Sequence, residues 1–260
     1  MIVKVVKMSK IIEDIKERAK KNKKTIVLPE VMDRRILEAT EIILKEGIAD
    51  IILVGTEEEI SESAKGLEIN GVTIINPYTS SFTYELINSL YNLRHDKGMT
   101  LEKAKELLLN DYMYYACMLV KQGYADGVVS GACHSTSNTL RPALQILKTK
   151  QNVELVSAFF LMEVPNCKYG NNGTFIFADS GLEQNPTPSR LAAIASSSAE
   201  SYELLTQKQA IVAMLSHSTK GSAKHADVDK VVEATKIAQS KYPNYLIDGE
   251  LQLDAAIVPE

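Results

Sequence analysis

The residues best suited to chemistry lie close together, between positions 131 and 142. Four hydroxyl side chains fall within five positions there, where a strand predicted at 126–130 turns into a helix. Backbone N–H groups at a helix start lack partners within the helix, and the helix dipole is positive at that end. Arg141, about a turn and a half beyond Ser135, adds a planar guanidinium group. The stretch predicts unpaired N–H groups and a site for a phosphoryl or carboxylate group, with a simple N-capped helix as the alternative.

A second hydroxyl-rich stretch, at 216–225, leaves a predicted strand at 210–216 and precedes another helix. Ligands of open α/β sheets collect at the carboxyl ends of strands, so this stretch is a second candidate for binding an anionic or polar group. An ordinary solvated loop is the alternative. The polar side chains in question are Ser216, Ser218, Thr219 and Lys220.

Arg94 ends a helix predicted at 81–95, followed by Gly98. Basic residues complement the dipole at a helix end and glycine often closes the helix, so this position has a sufficient structural explanation. Asp179 and Asp248 each place a carboxylate at or just beyond a predicted strand. Either one can be a turn residue or can orient groups of a binding site.

Composition narrows the class of protein. The 260 residues carry a net charge of −4, so no overall basic field recruits nucleic acid. The three cysteines show no C-x-x-C spacing, which fits a reducing cytoplasm without structural disulfides or zinc. No apolar run reaches membrane-spanning length. The opening seven residues are too short for a signal core, and Met8 is a candidate for the true start.

The alternation of predicted elements indicates the fold. A helix at 9–21 precedes strands at 25–30, 50–55 and 71–75, with Asp33 predicted to cap the intervening helix and Gly47 to close it. This β-α-β-α order predicts an α/β fold with mostly parallel, doubly wound sheets. The two hydroxyl-rich stretches, one in each of two α/β domains, indicate an interdomain cleft that binds anionic or polar groups. The polar residues 148–152 place the boundary, giving domains at 1–150 and 151–260. The signatures GxGxxG, P-loop, HExxH and G-x-S-x-G are missing, which weakens dinucleotide, nucleotide triphosphatase, zinc-protease and hydrolase assignments.

Four ordered segments resemble the phosphate acetyltransferase family, and the resemblance covers nearly the whole chain from about residue 9. The segments are YNLRHDKGMT at 91–100, GACHSTSNTLRPALQ at 131–145, MLSHSTKGSA at 214–223 and IDGELQLDAA at 247–256. The resemblance implies reversible transfer of an acetyl group between coenzyme A and phosphate. It also implies direct attack of the thiolate within a ternary complex.

The resemblance also implies the roles of individual residues. The arginines matching the family's substrate site are Arg94 and Arg141, which we expect to be catalytic. The residues we expect to bind substrate are His134, Ser135, Thr136, Thr139, Ser216, Ser218, Thr219, Lys220 and Asp248. Coenzyme A is then a substrate, and neither a metal nor a tightly bound cofactor is expected. A cytoplasmic homodimer acting on small molecules, without nucleic acid or membrane partners, is implied as well.

Two departures from the family pattern qualify this expectation. Family members continue beyond the position of Glu260, and that tail brings a Ser-Arg pair and an Asp that acts as general base, roles for which no residue can be assigned here. His217 stands where a different aromatic residue is expected. The alternatives are a phosphate butyryltransferase, a non-catalytic remnant that binds phosphate or coenzyme A, and a metal- and nicotinamide-dependent dehydrogenase. The sequence shows no evident acidic metal cluster for the last of these.

Overall fold

A computed structural model describes residues 10–151, 153 and 155–259. The chain divides into two compact units. The first unit is Lys16–Lys148, and the second comprises the described residues of Met1–Ile15 and Thr149–Glu260. The proposed start at Met8 and the short segment before it lie outside the described residues.

The first unit is built on a four-stranded parallel sheet. Its strands lie in the order β3-β2-β1-β4, so β1 is paired with β2 on one side and with β4 on the other. The predicted α/β class with a parallel sheet is therefore confirmed. The strands are β1 (Thr25–Leu28), β2 (Asp50–Val54), β3 (Thr73–Ile75) and β4 (Gly127–Val128).

Alternate residues of the strands enter two different cores. Val27 and Ile52 belong to one cluster of buried apolar residues, whereas Leu28 and Leu53 belong to another. Successive side chains of a strand point to opposite faces, so helices cover both faces of this sheet. α1 (Lys10–Lys21) spans the division, because its residues up to Ile15 belong to the second unit. The other helices of this part are α2 (Arg34–Glu46), α3 (Glu57–Ser63), α4 (Phe82–Arg94), α5 (Leu101–Asn110), α6 (Tyr112–Lys121) and α7 (Thr136–Ile146).

Local capping fixes where these helices begin and end. The side chain of Asp33 accepts the N–H of Arg35, and Gly47 adopts a left-handed conformation with φ of 69°, as predicted for both residues. Thr56 and Glu59 form a capping box at the start of α3. A short 3₁₀ turn, His95–Lys97, follows α4 and ends at Gly98.

The second unit contains two separate strand pairs. β5 (Phe159–Glu163) and β6 (Thr174–Ala178) are antiparallel, and β7 (Ile211–Leu215) and β8 (Leu246–Leu251) are parallel. The apolar sequence 155–162 predicts a strand from Leu155, but β5 begins only at Phe159. β6 ends at Ala178, opposite Phe159, so the described residues just before Phe159 have no strand beside them.

Two long helices of the second unit, α8 (Pro188–Thr206) and α9 (Ala226–Lys241), pack against the parallel pair. A short helix, α10 (Leu253–Ile257), follows β8. Pro188 stands at the first position of α8, where its missing N–H costs nothing. Within the described part of the chain, no helix combines the length and the apolar character needed to cross a bilayer.

Candidate functional site

The first candidate site lies at the carboxyl ends of β1 and β4. These strands are neighbours in the sheet but distant in sequence, because the strand order reverses between them. In open α/β sheets such a reversal point is where ligands bind. Here β1 leads into Glu30, and β4 leads into the corner formed by Gly131, Ala132, Cys133 and His134, which we call the first corner.

The first corner surrounds the carboxylate of Glu30. Glu30 is only 3% exposed. Its Oε2 accepts the backbone N–H groups of Gly131 at 2.8 Å and Ala132 at 2.9 Å. Its Oε1 accepts the N–H groups of Cys133 and His134, both at 2.9 Å. Four consecutive backbone donors therefore converge on one internal anion, as they would on a bound one.

Two side chains complete this arrangement. The Sγ of Cys133 and the Nδ1 of His134 lie 3.3 Å and 2.7 Å from Oε1 of Glu30. Burial raises the pKa of Glu30, but the hydrogen bonds from the first corner outweigh burial and hold that pKa below its ordinary value. Burial, together with the hydrogen bond to Glu30, raises the pKa of the Cys133 thiol, which keeps its proton.

This geometry corrects the expectation of unpaired N–H groups at residues 131–134. Those groups are paired, because the adjacency of β1 and β4 brings in a carboxylate from 101 or more positions away. The start of α7 is more open. Ser135 caps the helix through the N–H of Asn138 at 3.3 Å, and Thr139 donates its hydroxyl to the Ser135 carbonyl at 3.2 Å. Thr136 is exposed, and helix geometry leaves its N–H without a partner in the helix.

The two arginines predicted to be catalytic both interact electrostatically with the phenol of Tyr114. Arg141 is exposed, and no described residue forms a hydrogen bond or ion pair with its guanidinium. Arg94 is half-buried and donates Nη1 to the Gln145 carbonyl at 3.4 Å. Burial raises the pKa of Tyr114, and both arginines oppose that rise. The structure thus places Arg94 and Arg141 around one side chain, which itself donates to Gln145 at 2.9 Å.

Arg94 also lines a cavity of about 390 Å³. Its charged lining residues are Arg94, Lys97, Lys103 and Glu106. Three cations and one carboxylate give the cavity a net positive charge, which favours an anionic ligand.

The second candidate site follows β7 and is held by another buried carboxylate. Glu250, at the end of β8, accepts the N–H of Gly221 at 2.6 Å and the hydroxyl of Ser218 at 3.1 Å. Ser218 is fully buried, and its hydroxyl also accepts the N–H of Ala223 at 3.1 Å. The hydroxyl of Ser216 accepts the N–H of Ser218 at 3.2 Å.

The remaining predicted residues of this stretch are brought together by internal contacts. Lys220 forms an ion pair with Asp248 and donates to the Gly249 carbonyl at 3.0 Å. That ion pair lowers the pKa of Asp248. Thr219 donates its hydroxyl to the side chain of Gln252 at 3.2 Å. Lys220 and Asp248 are exposed, so both stay accessible to a ligand.

Sequence reasoning did not single out Glu30, and it treated Glu250 only as a carboxylate that ends a predicted strand. Each is a buried glutamate at the carboxyl end of a strand, and each holds the corner that leaves the neighbouring parallel strand. The available signal was an acidic residue ending an apolar run, beside a strand that leads into a glycine-containing turn. That signal is weak, because acidic turn residues are common.

Glu30, Cys133 and His134 also have the residue types of a metal site, with ligand atoms within 4.8 Å of one another. The donors around Glu30 are N–H and S–H groups, whose positive ends point at its oxygens. Such a donor set favours an internal anion over a cation at this position.

Comparison with known proteins gives consistent matches. The sequence model of the family described as Phosphate acetyl/butaryl transferase matches residues 10–260. A phosphate acetyltransferase of Thermoanaerobacterium thermosaccharolyticum is 53% identical over 250 residues, which are 96% of this chain and 76% of the relative. A EutD phosphotransacetylase from Staphylococcus aureus is 42% identical with a TM-score of 0.86, covering 96% of this chain and 74% of that one. A phosphotransacetylase from Streptococcus pyogenes is 40% identical with a TM-score of 0.87, covering 97% and 76%.

Proposed function

Because the chain belongs to the phosphate acetyl/butaryl transferase family, we propose that it transfers an acetyl group reversibly between coenzyme A and inorganic phosphate. The observation that carries this proposal is the 53% identity to a relative named phosphate acetyltransferase over 96% of the chain. Coenzyme A is a substrate in this proposal.

The chemistry of the first site supports the proposal. Acetyl phosphate and coenzyme A are both polyanions, so the attacking thiolate meets repulsion from the phosphate. The guanidinium of Arg141 is exposed and has no partner among the described residues, which leaves it available to a phosphoryl group. Arg94 lines a positively charged cavity, and both arginines interact electrostatically with the phenol of Tyr114. Fixed positive groups of this kind offset charge that develops in the transition state.

The coenzyme A thiol gives up its proton, which passes through solvent to the departing phosphate, and the thiolate sulfur attacks the carbonyl carbon of acetyl phosphate. A sulfur–carbon bond forms, the carbon–oxygen bond to the phosphoryl group breaks, and inorganic phosphate leaves. Holding both substrates together makes the step effectively unimolecular. We assign Arg141 to the phosphoryl oxygens and Arg94 to the second anionic substrate.

The hydroxyl-rich start of α7 is assigned to substrate binding with the arginines. His134, Ser135, Thr136 and Thr139 border that helix start. We call the turn at 216–223, which follows β7, the second corner. Substrate contacts are proposed for Ser216, Thr219 and Lys220 in this corner and for Asp248, which pairs with Lys220. The expected substrate contact of Ser218 is not proposed, because that side chain is fully buried and donates to Glu250. The homodimer and the cytoplasmic location stay predictions from the family resemblance.

The test is a comparison of acetyl-coenzyme A with butyryl-coenzyme A in phosphate-dependent release of free thiol. The protein is expressed from its complete reading frame. We expect thiol release that requires phosphate and is faster with acetyl-coenzyme A. Faster release with butyryl-coenzyme A would show that the protein is a phosphate butyryltransferase. Binding of coenzyme A without any thiol release would show that it is a binding protein and not a transferase.

A further inference from the structure

We propose that Glu30 is a positioning residue for the reaction, acting through His134. By holding Nδ1 of the imidazole, Glu30 leaves Nε2 as the ring nitrogen that meets the substrate. This inference rests on the proposed function for its kinetic consequence. It deepens that proposal by assigning a role to a buried residue that the family resemblance did not single out.

The proton assignment follows from the acceptors present. The carboxylate of Glu30 is ionised and can only accept hydrogen bonds. Nδ1 of His134, 2.7 Å from Oε1, must therefore carry a hydrogen. The hydrogen bond made by one ring nitrogen determines the state of the other. Nε2 is thus the acceptor whenever the ring is neutral, and no described residue bonds to it.

The position of His134 makes this orientation useful. Its side chain is 28% exposed, whereas that of Glu30 is fully buried. His134 directly precedes Ser135, which caps α7, the helix that carries Arg141. Because Glu30 holds Nδ1 and the side chain is partly exposed, we infer that Nε2 is the ring nitrogen open to a ligand beside the start of α7.

The second corner offers a comparison, because it is also held by a buried glutamate. Glu250 there binds a backbone N–H and a serine hydroxyl, and no imidazole contacts it among the described residues. Holding a corner therefore does not require a histidine. The contact from Glu30 to His134 is therefore not needed to hold the first corner, and we assign it to substrate positioning.

The experiment separates the two ring nitrogens. The amide nitrogen of Asn can occupy the place of Nδ1, so His134→Asn keeps a donor to Glu30 and removes Nε2. We expect His134→Asn to keep the wild-type melting temperature and to lower kcat/KM by about tenfold or more. Glu30→Gln should lower kcat/KM to a similar extent. The double variant should be no slower than the slower single variant, because residues that act through one another are not additive.

A spectroscopic measurement accompanies the kinetics. In the wild type, the nitrogen NMR shifts of neutral His134 should show a protonated Nδ1, and Glu30→Gln should weaken that signature. Asp179→Asn is the matched control. That carboxylate also accepts backbone N–H groups, from Ala158, Gly181 and Leu182, so the variant should lower stability without changing the His134 signals.

The kinetic and NMR results together distinguish a positioning role of Glu30 from a purely structural one. If the double variant lowers kcat/KM by the product of the two single effects, Glu30 and His134 act independently and the inference is overturned. An unprotonated Nδ1 in the neutral ring of the wild type would also overturn it. If the wild type shows no acyl transfer, the proposed function fails instead. The NMR shifts then decide the positioning claim by themselves: loss of the Nδ1 proton signature in Glu30→Gln supports it, and an unchanged signature refutes it.

Discussion

Oε1 of Glu30 lies 2.7 Å from Nδ1 of His134, although 104 positions separate the two residues in the chain. The contact exists because β1 and β4 are neighbours in the parallel sheet, so their carboxyl ends meet at one edge. The buried charge of Glu30 is compensated by four backbone N–H groups from the first corner. The sheet order therefore determines both the shape and the charge of the candidate site.

Replacing Arg141 tests the proposed phosphoryl contact. Arg141→Ala should lower kcat/KM by about a hundredfold or more, since a preorganised group acting on the transition state contributes on that order. The melting temperature should change little, because Arg141 is exposed and no described residue pairs with it. Lys236→Ala, which removes an exposed cation from α9, serves as control. Equal rates for Arg141→Ala and Lys236→Ala in steady-state assays would reject the assignment.

Acid titration of stability tests the charge of Glu30. The folded-state pKa of Glu30 is lowered, so its contribution to stability is present above the unfolded pKa of about 4.3 and is lost as pH falls toward the folded pKa. Near neutral pH, Glu30→Gln should lower the free energy of unfolding by roughly 3 kcal/mol, because backbone N–H groups of the first corner lose their acceptor. The difference between wild type and variant should shrink below about pH 4.

Urea unfolding at several pH values measures that difference. Glu62→Gln supplies the control, because Glu62 is an exposed glutamate in α3 paired with Lys65 at the surface. Surface pairs of this kind contribute little, so we expect a change under about 1 kcal/mol at every pH. A gap between wild type and Glu30→Gln that stays constant down to about pH 3 would show that Glu30 is not charged in the folded protein.

Substitution of Gly249 tests how closely β8 packs against Met214 of β7 and Thr235 of α9. A Cβ at this position would lie 2.6 Å from Cβ of Met214 and 2.9 Å from the hydroxyl of Thr235. Gly249→Ala should therefore destabilise the protein by about 1–3 kcal/mol and disturb the adjacent Asp248 and Glu250. Gly127→Ala is the matched strand control, since its Cβ would meet only Ile26 at 3.4 Å. Similar melting temperatures for the two variants would contradict the packing described.

The charged cavity predicts an order of effects among its cations. Arg94 is half-buried and bonded to the Gln145 carbonyl, whereas Lys97 is exposed on the 3₁₀ turn. Arg94→Ala should lower kcat/KM by about tenfold or more. Lys97→Ala should change kcat/KM by about twofold at most, because an exposed charge is screened by solvent. Initial rates over a range of coenzyme A concentrations measure both, and a larger effect at Lys97 would exclude Arg94 from the site.

Much of the fold follows from local sequence signals. Asp33 and Gly47 begin and end a helix as predicted, because a cap depends only on the few residues around it. The alternation of strands and helices predicted a parallel sheet, and the first unit has one. Strand length was harder to predict. β4 spans only Gly127–Val128, since the extent of pairing depends on its neighbour β1.

The site was only partly predictable for the same reason. The hydroxyl groups around Ser135 and the position of Arg141 on one helix were evident from residue types and spacing. The internal anion was not, because Glu30 meets the first corner through contacts spanning 101 to 104 positions. Residues near Glu30 in sequence give no sign of those contacts. They arise from the strand order, which local periodicity does not determine.

The most direct test of the account measures formation of acetyl phosphate. The protein, expressed from its complete reading frame, is incubated with acetyl-coenzyme A and phosphate, and acetyl phosphate is quantified by phosphorus NMR. Wild type and Arg141→Ala are compared side by side. For the wild type we expect acetyl phosphate in amounts matching the thiol released, and from Arg141→Ala an initial rate of formation about a hundredfold lower. Thiol release by the wild type without acetyl phosphate, or equal rates from both proteins, would contradict the proposed acyl transfer.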